Sequence, residues 1–193
     1  MKKLIFINAC IRKDASRTWR IAAPVLRELS KHYTIEQIDL TDERILPVTN
    51  GLYHHRGTHG LTAQDMTWGQ AVASADRIVI AAPFWDMSFP SVLKVFFEHI
   101  SAPDVTFLNN EDGSTRGNCK AEKLLYITTR GMMIPTDSEL DQGSSYLRAL
   151  GWLWGIPQIH TLAVHGTDVK SPAVVDAEID DAIACGIRLC EDF

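Results

Sequence analysis

The stretch Ile78-Val79-Ile80-Ala81-Ala82-Pro83-Phe84-Trp85-Asp86-Met87 decides the architecture. Residues 78–82 form a continuous apolar run of strand length, the pattern of a strand buried on both faces. Pro83 ends the run, and a loop carrying Phe84, Trp85 and Met87 follows. Ser88-Phe89-Pro90 then opens a helical stretch over 91–100, since proline is tolerated in a first turn. In open α/β sheets the loops beyond the C-terminal strand ends form the ligand crevice. An aromatic, polarizable loop with backbone amides at that place suits a flat aromatic ligand.

Working outward, residues 4–9 form a second buried apolar run, a first strand. A polar loop over 12–17 leads to Trp19, Ile21, Ala22, Val25, Leu26 and Leu29, which recur at helical spacing. Residues 33–40 alternate apolar and polar side chains and read as an edge strand. Residues 41–61 are rich in His, Gly and Asp and form an irregular excursion, long enough to be functional and assigned here as a lid over the crevice. Thr62 N-caps a helix over 62–73, with Asp65 placed to complete a capping box. The strand around Ile78 spans 76–82, a fourth strand 123–129 and a fifth 158–164. A helix over 144–155 stops at Gly155-Ile156-Pro157, and a closing helix covers 172–190.

Strands alternating with helices predict an α/β, flavodoxin-like three-layer α/β/α sandwich. Its five-stranded parallel sheet has the order 2-1-3-4-5, with a switch point between the first and third strands. Residues 1–193 read as a single domain without repeats or linkers, long enough to bury a full core without staples. With 46% hydrophobic and 22% charged residues the composition is that of a soluble protein. A net charge of −5 without a basic run argues against nucleic-acid binding. No apolar stretch approaches the roughly 20 residues that span a membrane. The N-terminal apolar run is too short for a signal peptide, so a cytoplasmic location is expected. The four cysteines, Cys10, Cys119, Cys185 and Cys190, form no CxxC pair and read as reduced thiols. His54, His55 and His59 lack Cys, Asp or Glu at ligand spacing, so no metal is expected.

Three loops converge on the crevice. The first carries Cys10, Arg12, Ser16, Arg17 and Thr18 into a helix N-terminus, a place that suits phosphate. The simpler alternative is an ordinary Ser16 cap with a solvated Arg17. GxxxxGK[ST] and GxGxxG are both absent, which favours a mononucleotide phosphate. The loop after the fourth strand holds Thr129, Arg130, Gly131 and Met132. Gly131 permits a close backbone approach or positive φ. Arg130 is placed either to stabilise negative charge on a reduced flavin ring or to make a surface pair. Of Trp152 and Trp154, at i and i+2, one belongs to the core and the other to a surface. Phe96 and Phe97 read as core, and Glu178, Asp180 and Asp181 as a solvated face.

Residues 82–87 followed by Leu93-Lys94-Val95-Phe96-Phe97-Glu98 resemble the APMYNF…LKNYFD signature of FMN-dependent NAD(P)H azoreductases and quinone reductases of the flavodoxin-like superfamily. Val105-Thr106-Phe107, Gly117 and Ile127-Thr128-Thr129-Arg130-Gly131 resemble that family's VTF…G…ITSRGG segment. Ser16-Arg17-Thr18 falls where the family has its Ser-x-Ser phosphate loop, and Leu150-Gly151-Trp152 resembles its LGF element. The resemblance covers most of the chain outside 41–61.

The resemblance implies an oxidoreductase in which FMN N5 passes hydride from NADH or NADPH to a quinone, azo compound or similar acceptor by a ping-pong cycle. No catalytic protein side chain is implied. Ser16, Arg17 and Thr18 would hold the phosphate, with Cys10 beside it. Pro83, Phe84, Trp85, Asp86 and Met87 would flank the ring, and Thr129, Arg130, Gly131 and Met132 its pyrimidine side. Phe107 and Trp152 would serve the substrate pocket of a homodimer. Cys10, Asp86 and Met132 depart from a family Ser, Asn and Gly. Three rivals stand beside this expectation. A flavodoxin-type electron carrier is usually more acidic. A receiver domain needs an acidic pair where Asn8-Ala9-Cys10 stands. A relative that has lost its flavin would be an interaction protein.

Overall fold

The computed structural model describes residues 1–42, 45–50 and 62–193. Strands β1 (Lys2–Asn8), β2 (Tyr33–Asp39), β3 (Arg77–Ala81), β6 (Lys123–Thr129) and β7 (Gln158–Val164) form a parallel sheet in the order β2-β1-β3-β6-β7. The expected order 2-1-3-4-5 is therefore present, with β2 at one edge. Helices α1 (Arg17–Leu29), α2 (Ala63–Ser74), α3 (Ser91–Ile100), α4 (Gln142–Trp154) and α5 (Pro172–Leu189) cover the two faces. The hairpin of β4 (Phe107–Asn109) and β5 (Thr115–Gly117) is an addition that hydropathy alone did not reveal, because its strands are short and half exposed. No helix among the described residues is long and apolar enough to cross a membrane.

Successive strand residues point to opposite faces, and both faces are apolar here. Ile5, Ile7, Ile78, Ile80, Leu124 and Tyr126 pack with Val72, Phe96, Phe97, Leu147 and Trp154 from α2, α3 and α4. Leu4, Phe6, Val79, Ala81, Leu125 and Ile127 pack with Ile21, Val25, Leu29, Val175 and Ile179 from α1 and α5. This double burial is why the central strands lack alternation. Trp154 is fully buried, its Nε1 donating to Ser101 Oγ at 3.2 Å, while Trp152 is 74% exposed.

Local signals set the helix ends. Thr62 and Asp65 form the reciprocal capping box at α2. Asp65 also accepts from His99 Nδ1 at 2.9 Å, and His99 Nε2 lies 2.8 Å from the Leu46 carbonyl. That buried pair, not foreseen from sequence, fastens residues 45–50 to α2 and α3. The remainder of the expected excursion, including the assigned lid segment and His54, His55 and His59, lies outside the described residues. Gly155 closes α4 at φ +80, a left-handed C-cap. The hairpin docks against this cap, since a Cβ on Gly117 would lie 2.0 Å from the Gly155 nitrogen. Glu178 and Asp180 do not form a purely solvated face. Lys170 reaches both Glu178 oxygens at 2.7 Å, and Arg20 pairs with Asp176 and Asp180.

Arg130, just past β6, has no solvent exposure and neither does Asp141 at the N-cap of α4. The guanidinium donates to Asp141 Oδ2 at 2.8 Å and to the Ile134 carbonyl at 3.0 Å. Asp141 also accepts from the Ser144 and Asp137 amides, each at 3.0 Å. Burial alone would raise the Asp141 carboxyl. The bonds from Ser144, Asp137 and Arg130 outweigh it and hold the carboxyl below its ordinary 3.8.

These contacts give three tests. Asp141→Ala strands a buried guanidinium and is expected to cost about 3–5 kcal/mol in urea unfolding, with Arg130→Met/Asp141→Leu recovering most of it. A carboxyl held below 3.8 stabilises the fold above that pH and loses its contribution as pH falls through the folded value. Wild-type stability should therefore fall more steeply below pH 3.8 than that of the double variant. Gly117→Ala, which sets a methyl against the backbone of Gly155, should cost at least about 1–3 kcal/mol in urea unfolding.

Candidate active site

A cleft of about 140 Å³ opens at the C-terminal ends of β1, β3, β6 and β7, where the switch point of the sheet lies. A larger hollow of about 240 Å³, lined by Lys123, Leu125, His160 and Phe193, lies at the opposite end of β6 and β7. That is the wrong end of a parallel sheet for a ligand.

Arg12, Ser16 and Arg17 form the first wall. Ser16 caps α1, its Oγ accepting from the Trp19 amide at 3.3 Å. Helix geometry leaves the Arg17 and Thr18 amides without an intrahelical acceptor, so the Ser16 cap and two free amides coexist. The Thr18 hydroxyl is not available to the cleft. It is fully buried, 2.7 Å from Thr129 Oγ1, and ties the first loop to the third. Cys10 is equally withdrawn, its buried Sγ 3.6 Å from the Ala81 carbonyl. Burial pushes its thiol up to about 12, so it stays protonated and is no nucleophile.

Pro83, Phe84 and Trp85 form the second wall. Phe84 donates to the Thr129 carbonyl at 3.0 Å, which fixes this loop on the next strand. Trp85 and Ser88 exchange backbone bonds at 3.2 and 2.8 Å, with Asp86 at φ +46 and Met87 at φ +66 between them. Two left-handed central residues make a type I′ turn, and each non-glycine residue there costs about 1–2 kcal/mol. The Gln142 amide holds the Met87 carbonyl at 3.0 Å and so pins the turn to α4. The Asp86 and Met87 amides have no acceptor among the described residues. The side chains of Asp86 and Met87 are not among the groups lining the cleft.

Thr129 and Gly131 form the third wall. Gly131 does not adopt positive φ. It is small because Asp168 approaches it: a Cβ there would lie 2.2 Å from Asp168 Oδ2. Arg130 is in neither place its sequence neighbourhood suggested. Its side chain turns inward to Asp141, with Cζ 4.9 Å from the centre of the Phe84 ring, so it supports the second wall from behind. Met132 is 51% exposed and does not line the cleft.

Thr167 and Asp168, beyond β7, form a fourth wall that sequence reading missed. The signal was available, because the loop after the fifth strand opens on the same edge of the sheet. Their amides donate to the Arg130 and Gly131 carbonyls at 2.9 and 3.1 Å. Arg17 Nη1 bridges the cleft to Asp168 Oδ1 at 2.8 Å and Thr167 Oγ1 at 3.2 Å. The chain does not bring Phe107 or Trp152 to this cleft. Trp152 lies with Arg148, Ile156, Pro157 and Ile159 on a separate patch. No cluster of three or more His, Cys, Asp or Glu suited to a metal occurs among the described residues.

The chain is 27% identical over the full length of both chains to a Clostridium perfringens protein named FMN-dependent NADH:quinone oxidoreductase. It is 29% identical, over 88% of each chain, to a Clostridium acetobutylicum protein named FMN-dependent NADH:quinone oxidoreductase 2. Among solved structures, an azoreductase from Bacillus anthracis str. Sterne superposes over the whole of both chains with a TM-score of 0.84 and 18% identity. An FMN-dependent NADH-azoreductase from Bacillus anthracis str. Ames Ancestor, in complex with FMN, gives a TM-score of 0.79 and 22% identity over 98% of this chain and all of that one. The sequence model of the flavodoxin-like fold matches residues 2–184, which takes in every strand of the sheet and all four walls of the cleft, and the chain belongs to that family.

Proposed function

We propose that this chain is an FMN-dependent NAD(P)H oxidoreductase that reduces quinones, azo compounds or similar two-electron acceptors. The observation that carries this is the pairing, around one switch-point cleft, of a helix N-terminus flanked by arginines with an aromatic wall that ends in two unpaired amides. That donor set fits FMN in kind. Amides at a helix N-terminus favour a phosphate dianion, and Arg12 adds a cation with no partner among the described residues. Phe84 and Trp85 offer flat apolar surface, and the Asp86 and Met87 amides offer donors to a polar ring edge. The names of the relatives support the acceptor class and favour NADH as reductant.

Bound FMN would supply the redox chemistry, taking two electrons from the nicotinamide and giving them to the acceptor. The protein's part is binding and orientation. Arg12 and the Arg17 and Thr18 amides would hold the phosphate. The Arg130–Asp141 pair, behind Phe84, keeps the aromatic wall in place. Its net charge is close to zero, so Arg130 contributes rigidity rather than a free positive field. Cys10 does not line the cleft and its thiol stays protonated, so it has no part as a nucleophile there.

A homodimer is part of the proposal, with Trp152, 74% exposed beside Ile156, Pro157 and Ile159, as its candidate contact. A cytoplasmic location fits the four unpaired cysteines.

Titration with FMN should produce a bound-flavin absorbance spectrum, and anaerobic NADH should bleach it on mixing. Bleaching by dithionite alone would favour the electron carrier, and no binding would refute the proposal. Sedimentation should give twice the 21.6 kDa chain mass. Trp152→Arg should shift the population towards single chains; an unchanged dimer would remove Trp152 from the interface.

A further inference from the structure

Three ionic groups line the cleft, Arg12, Arg17 and Asp168, and they are not equivalent. The Arg12 guanidinium has no hydrogen bond or ion pair among the described residues, and only its carbonyl is engaged, by the Ala15 amide at 3.1 Å. Arg17 is engaged across the cleft by Asp168 Oδ1 at 2.8 Å and Thr167 Oγ1 at 3.2 Å. Asp168 is anchored through its backbone, while its carboxylate is 70% exposed. Its amide donates to the Gly131 carbonyl at 3.1 Å, and its second carboxylate oxygen lies where a Gly131 Cβ would be, 2.2 Å from that position. Two neighbouring cations are engaged elsewhere. Lys13 pairs with Asp42, and Arg20 with Asp176 and Asp180. A carboxylate therefore stands in the one cleft whose amides and arginines favour an anion.

We propose that Asp168 is an internal competitor for the phosphate of the bound nucleotide: it occupies Arg17 when the cleft has no phosphate, and Arg17 exchanges Asp168 for phosphate on binding. This rests on the assignment of FMN to the cleft. The exchange sets how strongly the chain distinguishes phosphorylated from unphosphorylated flavin. A phosphate monoester carries about −1.5 to −2 charges at neutral pH, so an unpaired Asp168 repels it directly. The pair is also weak enough to give way, because both partners are substantially exposed and surface pairs contribute little. Riboflavin, which lacks the phosphate, does not compete for Arg17 and is indifferent to the Asp168 charge.

The test is the affinity of the full chain for FMN and for riboflavin, read by quenching of flavin fluorescence, in wild type, Asp168→Asn, Arg17→Gln and the double variant. Asp168→Asn is expected to tighten FMN about fivefold, with riboflavin unchanged and the gain shrinking as salt is raised. Arg17→Gln should weaken FMN more in the Asp168→Asn background than in wild type, because there Arg17 is fully available to phosphate. FMN affinity that is unchanged or lower in Asp168→Asn overturns the proposal, the lower value meaning that Asp168 orients Arg17. Equal shifts for both flavins overturn it too, as a packing effect. Wild-type protein that binds neither flavin refutes the cofactor assignment itself, a result distinct from the other two.

Discussion

The arrangement of the cleft depends on one buried ion pair. Arg130 and Asp141 lie wholly out of water, where each charge alone would be prohibitive. Their bonds reach in three directions. Arg130 holds the Ile134 carbonyl and backs the Phe84 ring, while Asp141 caps α4 through Ser144 and takes the Asp137 amide. The segment from 130 to 141 is therefore closed on itself without regular secondary structure. The next residue along, Gln142, grips the Met87 carbonyl and steadies a turn with two left-handed non-glycine residues. Strain of that kind persists only where the surroundings over-determine it, and here the surroundings trace back to the ion pair.

A second constraint joins the loops to one another. Thr18 and Thr129 share a buried hydroxyl contact, Phe84 donates to Thr129, and Thr167 and Asp168 donate to Arg130 and Gly131. The walls of the cleft are bonded to the last residue of β6 or to the loop that follows it. That loop is central because β6 lies between β3 and β7 in the sheet. A change there should propagate to every wall, whereas a change in α1 or α5 away from their N-termini should not.

The framework was legible in the sequence because it is written in periodicities. Strands β6 and β7 have the bounds expected from their apolar runs, and Thr62, Asp65 and Gly155 mark helix ends by local chemistry. Which loops meet at the switch point also follows from strand order. Side-chain direction does not. Arg130, between a strand end and Gly131, reads from sequence as pointing into the cleft or out to a surface pair, and it does neither, because its partner Asp141 is eleven residues away across an irregular loop. Asp168 was overlooked for a similar reason: its partner Arg17 is 151 residues distant, and neither local pattern announces the pair.

The three departures from the family signature now have a common physical account. Cys10 turns into the core, Asp86 stands exposed at a turn tip, and Met132 is exposed outside the cleft. None of the three side chains lines the crevice, so what these positions can contribute to it is backbone. Amides and carbonyls are common to all residue types, and a site built largely from them tolerates replacement of the side chains that carry it. The positions where replacement should matter are those where the backbone itself is constrained. Such a place is the 86–87 turn, which holds positive φ that a proline or β-branched residue would not adopt.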